Sequence, residues 1–368
     1  MKKKLLIVDA FCEAGGEEEV AFYLYETFKQ DADFETYIAG PKKSPYFDKK
    51  KPDMKDFFDL SLKNKFDMKA IYKLRNILKQ YSIDVLNVHG YIAGFGARIA
   101  CIGLDTKVVW TMHVNIADVN SLNKRKRIIR FKIEQIFNRY LTDRIICVAQ
   151  ELKRKISNNK LKTPVDVIYN GIDVKKFSDH DFASKFFHKE NDELVLGFIS
   201  RLSSQKGLEY LLSLAVMLKE RNKNFKLLIV GEGELEDYVK NYIINEKLEK
   251  VVKVYPFQKD IPYVLSSIDV LVLPSLFEGF PMIILESLCS GTPVIASDVN
   301  GVPEIIKNDI NGFLVPSKNV DALYNATDKY YHNRELIRSQ GEAGKDIVNK
   351  YYTKERMIFS YKNIFNSL

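Results

Sequence analysis

Apolar positions fall into two kinds of segment that alternate along the chain. Short apolar runs such as Val270-Leu-Val-Leu273 predict strands buried on both faces, and stretches with a period near 3.6 predict the helices between them. The predicted strands are 4–9, 35–39, 85–89, 107–112, 145–148, 165–169, 195–199, 226–230, 252–255, 270–273, 293–296 and 312–315. Strands that alternate with helices, such as 18–29 and 69–81, indicate an α/β protein with parallel sheets.

The pattern is interrupted once, over residues 174–192. This stretch is polar and has little periodicity, so it predicts a linker between residues 1–173 and 193–352. A chain of 368 residues is also longer than a single core normally supports. The sequence therefore predicts two domains of similar topology.

Composition favours a folded protein of the cytoplasm. Apolar residues make up 46% of the chain, and no apolar run approaches the ~20 residues that a membrane-spanning helix needs. The start, Met1-Lys-Lys-Lys4, leads into a strand rather than a signal-peptide core. The four cysteines lack metal-ligand spacing and read as reduced packing residues: Cys12, Cys101, Cys147 and Cys289.

Two glutamates follow the strand 270–273. Ligands of doubly wound sheets bind at the carboxyl ends of strands, where the predicted loop 274–281 places Glu278. Glu286 lies about one turn inside the predicted helix 283–289 and could face the same ligand. A surface acid beside a solvated helix face would give the same pair.

Neighbouring motifs make a resemblance specific. These motifs extend over nearly the whole chain and follow the order that one enzyme family has. They are Gly15-Gly-Glu17, Thr111-Met-His113, Val167-Ile-Tyr-Asn-Gly-Ile-Asp173, Ser200-Arg-Leu-Ser-Ser-Gln-Lys-Gly207, Val230-Gly-Glu-Gly233, the segment from Asp269 to Ser297, Gly301-Val-Pro-Glu304 and Asn311-Gly-Phe-Leu-Val315. Together they resemble the retaining glycosyltransferases of family 4.

The resemblance implies the GT-B fold, with two Rossmann-like doubly wound parallel-sheet domains facing across a cleft. Residues 1–173 would bind the acceptor, and residues 193–352 would bind the nucleotide sugar. Enzymes of this architecture end with a helix that returns to the first domain. The terminal segment 353–368, with apolar residues at helical spacing, fits that role.

The chemistry implied is sugar transfer from a nucleoside diphosphate, which leaves negative charge on the departing phosphate. Arg201 and Lys206 lie in the turn after the strand 195–199 and would hold the diphosphate, although exposed basic residues are the common alternative. Ser200 stands where the family often has Gly. Gly15 and Gly16 follow the first strand, so their N–H groups could approach the phosphates, or they form an ordinary tight turn.

The resemblance also assigns residues around the sugar. His113 would hydrogen-bond a sugar hydroxyl or support charge at the reaction centre, whereas His89 could be structural or functional. Glu286 would hold the ribose, and Glu278 would face the transferred hexose. The other donor-binding residues, around the sugar, the diphosphate and the base, would be Gly231, Phe257, Gly279, Phe280, Pro281 and Met282.

Retention leaves two mechanisms open. Since no second carboxylate is evident in the first domain, front-face transfer is favoured, with the departing phosphate taking the acceptor's proton. Double displacement through Glu278 is the alternative. Asp31-Ala-Asp33 precedes a strand rather than following one, so the sequence predicts no metal site and no cofactor besides the nucleotide sugar, most simply a UDP-sugar.

Charge is concentrated in the first domain. Residues 1–173 hold 31 Lys and Arg against 22 Asp and Glu, a net charge of +9, while the rest of the chain holds 25 against 26. The stretch 124–137 mixes basic and apolar residues, which suits a helix at an anionic membrane surface or an ordinary amphipathic helix. A saccharide or lipid-linked acceptor, in cell-surface glycan synthesis at the inner face of the membrane, is therefore expected.

Other classes fit less well. A sugar-nucleotide epimerase or a phosphorylase of the same architecture remains the alternative, although the motifs differ. A dinucleotide-dependent oxidoreductase would need Gly-x-Gly-x-x-Gly, which neither glycine turn completes. Basic charge without an aromatic platform or a known module gives no support to nucleic-acid binding.

Overall fold

The computed structural model describes residues 2–10, 15–43, 52–62, 64, 67–114, 124–157, 161–178, 186–190 and 192–368; of residues 92, 124–131 and 178 it describes the backbone alone. The chain divides into two compact units. The first consists of Met1–Asn170 with Lys354–Leu368, and the second of Gly171–Thr353.

The first unit is built on a wholly parallel sheet, which comprises seven strands within the described residues. Its strands are β1 (Lys3–Val8), β2 (Phe34–Gly40), β3 (Phe57–Asp59), β4 (Val85–His89), β5 (Lys107–Met112), β6 (Arg144–Cys147) and β7 (Val165–Val167), in the order β3-β2-β1-β4-β5-β6-β7. Its first helices are α1 (Gly16–Gln30), α2 (Met68–Tyr81), α3 (Tyr91–Ala100), α4 (Lys124–Tyr140) and α5 (Gln150–Ser157).

The second unit repeats this plan with six parallel strands in its described part. They are β8 (Leu194–Ile199), β9 (Phe225–Val230), β10 (Val252–Tyr255), β11 (Val270–Leu273), β12 (Val294–Ser297) and β13 (Gly312–Val315), in the order β10-β9-β8-β11-β12-β13. The helices are α6 (Lys175–Ser178), α7 (Leu208–Glu220), α8 (Glu236–Asn245), α9 (Ile261–Leu265), α10 (Met282–Cys289), α11 (Val302–Ile305), α12 (Val320–His332) and α13 (Glu335–Tyr351).

Sequence chemistry explains these elements locally. The strands β8 and β11 consist of apolar residues that are almost all fully buried, as expected where helices cover both faces of a sheet. Asp67 begins α2 by accepting a hydrogen bond from the N–H of Ala70 at 3.1 Å, and Asn319 begins α12 in the same way. The predicted strands are all present, most of them with an end shifted by one or two residues.

The division between the units lies nearer the N-terminus than the predicted linker 174–192. The N–H of Ile172 donates to the carbonyl of Tyr352 at 3.0 Å, and Phe177 is buried. The backbone bond of Ile172 and the burial of Phe177 attach residues 171–178 to the second unit. The part of the stretch from 179 to 185, and residue 191, lie outside the described residues.

The terminal helix α14 (Lys354–Ser367) belongs to the first unit. Phe365 is fully buried and packs on Phe28 with ring centroids 5.4 Å apart. Lys362 binds the carboxylates of Asp31 and Asp33 at 2.7 and 2.9 Å. The Asp-x-Asp pair thus holds α14 through an ion pair.

The described cysteines are free and buried, as predicted: Cys101, Cys147 and Cys289. Burial raises the pKa of the Cys101 and Cys147 thiols to about 12, which keeps them protonated and unreactive at neutral pH. Cys12 lies outside the described residues. Among the described helices, none has both the length and the apolar character that crossing a bilayer requires.

Candidate active site

Both sheets reverse their strand order at one point. In the first unit the reversal lies between β1 and β4, and in the second it lies between β8 and β11. Connections leave these neighbouring strands towards opposite faces of the sheet, which opens a crevice at their carboxyl ends where ligands bind.

In the second unit, the residues after β8 and β11 meet directly. Nζ of Lys206 lies 2.7 Å from Oε1 of Glu278, and the hydroxyl of Ser275 donates to the same oxygen at 2.7 Å. The side chains of Lys206 and Glu278 are only 14% and 6% exposed. Because both side chains are largely withdrawn from water, solvent screens their attraction far less than it screens a surface salt bridge.

Backbone contacts hold the two segments together. Gly207 adopts a φ of +67°, and a Cβ there would lie 2.1 Å from the carbonyl oxygen of Pro274, so only glycine fits. The side-chain amide of Gln205 donates to the carbonyl of Phe277 at 2.9 Å. The turn that carries Lys206 is thus fixed against the loop that carries Glu278.

Asn300 completes this arrangement. Its side-chain amide donates to the carbonyl oxygen of Glu278 at 2.8 Å, and its own backbone has a φ of 45°. Asn is among the few residues that adopt this conformation at little cost. Sequence reasoning missed Asn300 and Ser275. An Asn immediately before Gly301 was the available signal.

The other predicted site residues of the second unit differ in how exposed they are. Arg201 is exposed, and Glu286 is half-buried, four residues into α10. Phe257 is 43% exposed, and its N–H donates to Oε1 of Glu232 at 3.3 Å. The remaining residues of the loop and the start of α10 are buried: Gly279, Phe280, Pro281 and Met282.

Packing alone accounts for the glycines after β9. A Cβ on Gly231 would lie 2.0 Å from the carbonyl oxygen of Ser200, and one on Gly233 would lie 2.4 Å from that of Leu202. Their φ angles, +149° and +159°, also favour glycine. The two glycines therefore let the segment after β9 approach the turn that carries Arg201.

In the first unit, Gly15 and Gly16 begin α1 directly after the reversal point. Gly15 is its N-cap, and the next turn carries Glu17 and Glu18. Gly90 follows β4 with a φ of +71°, and a Cβ there would lie 2.0 Å from Oε1 of Glu17. The start of α1 thus packs against the end of β4, the neighbouring strand.

The acidic groups at this helix start carry strongly shifted pKa values. Burial, reinforced by the charge of Asp9, raises the pKa of Glu18 from 4.5 to about 8. The same causes raise the pKa of Glu17 well above 4.5. A Glu18 carboxyl that is protonated at neutral pH would not repel a phosphate group near Gly15 and Gly16.

The two histidines lie together at the ends of β4 and β5. Nδ1 of His89 lies 3.0 Å from Nε2 of His113, and Nε2 of His89 lies 2.8 Å from Oδ1 of Asn87. His113 is 7% exposed, and His89 and Asn87 are fully buried. Burial lowers the pKa of His113 to about 3 and that of His89 well below 6.5, so both rings are neutral at physiological pH.

Two doubly wound parallel-sheet units, with a buried lysine and glutamate meeting at the reversal point of the second, match the architecture of the GT-B glycosyltransferases. Residues 14–176 match the family model described as Glycosyltransferase Family 4, and residues 179–347 match that of Glycosyl transferases group 1. The chain belongs to the family 4 glycosyltransferases, and it is a glycosyltransferase that uses a nucleotide sugar.

Individual relatives agree with this assignment. The UDP-Gal:alpha-D-GlcNAc-diphosphoundecaprenol alpha-1,3-galactosyltransferase of Escherichia coli is 31% identical over 302 residues, which cover 79% of this chain and 77% of that protein. The Anabaena protein Alr3699/HepE, solved with UDP and glucose, has a TM-score of 0.83 at 18% identity, and the match covers 100% of both chains. The sucrose-phosphate synthase of Thermosynechococcus elongatus has a TM-score of 0.84 at 17% identity, with 100% of this chain and 99% of that chain covered. These solved structures share the fold.

Proposed function

We propose that this enzyme transfers a hexose or N-acetylhexosamine from a UDP-sugar, with retention of anomeric configuration, to a saccharide or lipid-linked saccharide acceptor. The observation that carries the proposal is the ion pair of Lys206 and Glu278 at the reversal point between β8 and β11. A cation and a carboxylate at this point suit a ligand whose diphosphate and sugar lie side by side.

Lys206 and Arg201 are proposed to stabilise the departing diphosphate. Lys206 is held by Glu278 at 2.7 Å and is largely buried, so it reaches the phosphates already desolvated and oriented. Arg201 follows β8 in the same turn and is exposed. These two cations would do the work of a divalent metal, so no metal is required.

Hydrogen bonds to Glu278 favour front-face transfer over double displacement. Oε1 of Glu278 already accepts from Lys206 and from the hydroxyl of Ser275, both at 2.7 Å. Such bonds stabilise the carboxylate and lower its nucleophilicity. The acceptor hydroxyl would then give its proton to the departing phosphate oxygen on the same face, while Glu278 orients the sugar.

Two observations support a UDP-sugar and a lipid-linked acceptor. The Escherichia coli relative is named for UDP-galactose and for an acceptor on diphosphoundecaprenol. In this chain, the net charge of +9 lies in residues 1–173. A basic first unit suits an acceptor that carries phosphate and sits at an anionic membrane.

The exposed surface of α4 supports the proposed membrane contact. Among the described side chains of the helix, Lys132, Ile136, Arg139 and Tyr140 are exposed. Lys132, Ile136 and Tyr140 are spaced by four residues and so share one face. Two apolar and two basic side chains together fit the headgroup region of a membrane.

The direct test is incubation with UDP-galactose, UDP-glucose and UDP-N-acetylglucosamine, with and without undecaprenyl-diphosphate-linked N-acetylglucosamine. We expect UDP release to rise with the acceptor, the product to keep the α-configuration by NMR, and EDTA to leave the rate unchanged. A β-linked product would overturn retention, and loss of the rate in EDTA with rescue by Mn²⁺ would overturn the metal-free assignment. Interconversion of the nucleotide sugars without UDP release would favour an epimerase. Release of UDP only in the presence of inorganic phosphate would favour a phosphorylase.

A further inference from the structure

Adjacent strands in the first unit end with the same spacing of a polar residue and a histidine. Asn87 and His89 lie two residues apart on β4, and Thr111 and His113 lie two residues apart at the end of β5. The strands pair in parallel, with His89 opposite Thr111. Residues two apart on a strand point to the same face, so the polar groups form a continuous buried row.

The hydrogen bonds of Asn87 determine which way its amide faces. Nδ2 of Asn87 lies 3.3 Å from the carbonyl oxygen of Val109 and 3.0 Å from the hydroxyl oxygen of Thr111. A backbone carbonyl can only accept, so the NH₂ group must lie on that side. Oδ1 of Asn87 therefore faces His89, and Nε2 of His89 at 2.8 Å must be the protonated nitrogen.

The tautomer of His89 determines the tautomer of His113. Because His89 is neutral with its proton on Nε2, its Nδ1 carries a lone pair and accepts from Nε2–H of His113 at 3.0 Å. His113 is neutral as well, so its own Nδ1 carries a lone pair. In the part of the chain that the structure describes, no group forms a hydrogen bond with that nitrogen.

We propose that Asn87 and His89 are positioning residues that fix His113 as a hydrogen-bond acceptor at Nδ1, for a hydroxyl group of the donor sugar or of the acceptor substrate. The inference rests on the proposed transfer reaction and adds the direction of the hydrogen bond. His113 then orients a hydroxyl group by accepting from it, and it does not supply positive charge to the diphosphate.

The tautomer can be measured without any reaction. In a ¹⁵N NMR spectrum of the free, uniformly labelled enzyme, the nitrogen shifts of each imidazole show which nitrogen is protonated, and loss of one set in His113→Gln assigns the ring. We expect His113 to carry its proton on Nε2 at pH 7. A proton on Nδ1, or on both nitrogens, would overturn the proposal irrespective of whether the enzyme transfers sugar.

Kinetics of matched variants test the functional half. His89→Leu removes the acceptor that fixes His113 and should lower kcat about tenfold or more, while the Kd of UDP stays near the wild-type value. Thr111→Val removes one of two acceptors of the Asn87 amide and leaves Val109, so it should keep the tautomer and most of kcat. Circular dichroism tests whether each variant is folded. If His89→Leu does not fold, the wild-type NMR spectrum still tests the tautomer of His113.

Hydrolysis of UDP-galactose without acceptor separates the two sources of the hydroxyl. If His89→Leu slows both hydrolysis and transfer, His113 accepts from the donor sugar; if it slows transfer alone, His113 accepts from the acceptor. Unchanged rates in a folded His89→Leu would overturn the positioning role. Absence of activity with every nucleotide sugar in the wild type would instead count against the transfer reaction, while the NMR result would still stand.

Discussion

At the scale of single residues, the lysine of the Lys206–Glu278 pair is the group whose removal should affect chemistry more than folding. Lys206→Ala should lower kcat about a hundredfold, because loss of one donor that stabilises leaving-group charge costs ~3 kcal/mol. Arg201→Ala should act in the same direction. Steady-state rates of UDP release measure both effects.

An ion pair of similar burial in the same sheet provides the control. Lys226 on β9 lies 3.0 Å from Glu193, which precedes β8, with side chains 19% and 3% exposed. This pair lies at the amino ends of the strands, away from the crevice. Lys226→Ala should therefore lower stability but leave kcat within about twofold, since no transition-state contact is lost. Near-normal kcat in Lys206→Ala would remove that residue from the site.

The two glutamates of the loop and of α10 should separate kinetically. Glu286 is proposed to bind ribose equally before and during the reaction, so Glu286→Gln should raise the KM of the donor with little change in kcat. Glu278→Gln should lower kcat while UDP alone still binds almost normally. Kinetics and calorimetric titration of UDP test both; a loss of UDP affinity in Glu278→Gln with only lost turnover in Glu286→Gln would reverse the roles.

Glu18 should make the first unit less stable as pH rises. Its pKa is about 8 when folded against 4.5 ordinarily, so between these values the folded state binds more protons than the unfolded state. Stability then falls as pH increases from 4.5 to 8. Glu18→Gln abolishes that titration and should raise the Tm more at pH 8 than at pH 5. The exposed Glu26, on the same helix, gives the matched variant Glu26→Gln as a control for the removal of one carboxylate. A pH-independent effect of Glu18→Gln would contradict the prediction.

Motif residues could be predicted from the sequence, but their bonding partners could not. Lys206, Glu278 and His113 stand in family motifs at strand ends. Asn87 and His89 belong to no such motif, and their importance depends on the parallel register that sets His89 beside Thr111. A register between strands is a three-dimensional property, so the row of polar groups becomes visible only in the fold.

At the scale of elements, buried strands were predictable because burial on both faces requires a run of apolar residues. The strand β3 was missed: Phe57–Asp59 has three residues, ends in Asp and lies at the edge of its sheet. An edge strand pairs on one side only, so it needs no such run. The division after Asn170 lies a few residues before the predicted linker 174–192, because Ile172 and Phe177 are isolated apolar residues that only the fold shows to be buried.

Attachment of α14 to the first unit depends on its apolar face. Phe365 is fully buried against Phe28, so Phe365→Ala should lower the free energy of unfolding by about 3 to 5 kcal/mol. Phe359 on the same helix is 66% exposed, and Phe359→Ala should change it by less than about 0.5 kcal/mol. Urea unfolding of both variants is the measurement. Equal effects would mean that the helix is not held by this face.

At the scale of the whole molecule, two units share a strand order but not a charge. Each sheet reverses between neighbouring strands, which gives each unit a crevice at its strand ends. Residues 1–173 carry an excess of +9, whereas the rest of the chain holds 25 basic and 26 acidic residues. A nucleotide needs a few placed cations, whereas an anionic membrane attracts a whole basic surface. Under the proposed function, the shared topology would therefore serve two different ligands.

The proposed membrane contact through α4 can be tested on its own. The wild type should sediment with vesicles that contain phosphatidylglycerol, and less with phosphatidylcholine alone or at high salt. Ile136→Ser combined with Tyr140→Ser removes the exposed apolar groups among the described side chains of the helix. It should weaken binding about thirtyfold or more, because each group contributes roughly 1 kcal/mol or more of apolar burial.

The second unit offers a matched pair for comparison. Tyr238 and Ile244 on α8 are 41% and 60% exposed, so Tyr238→Ser with Ile244→Ser removes similar apolar surface from the unit that lacks excess positive charge. That double variant should bind vesicles like the wild type. If both pairs weakened binding alike, the contact would be nonspecific adhesion of apolar surface. If the wild type ignored anionic vesicles, α4 would be an ordinary amphipathic helix and the acceptor would have to reach the enzyme without help from a membrane surface.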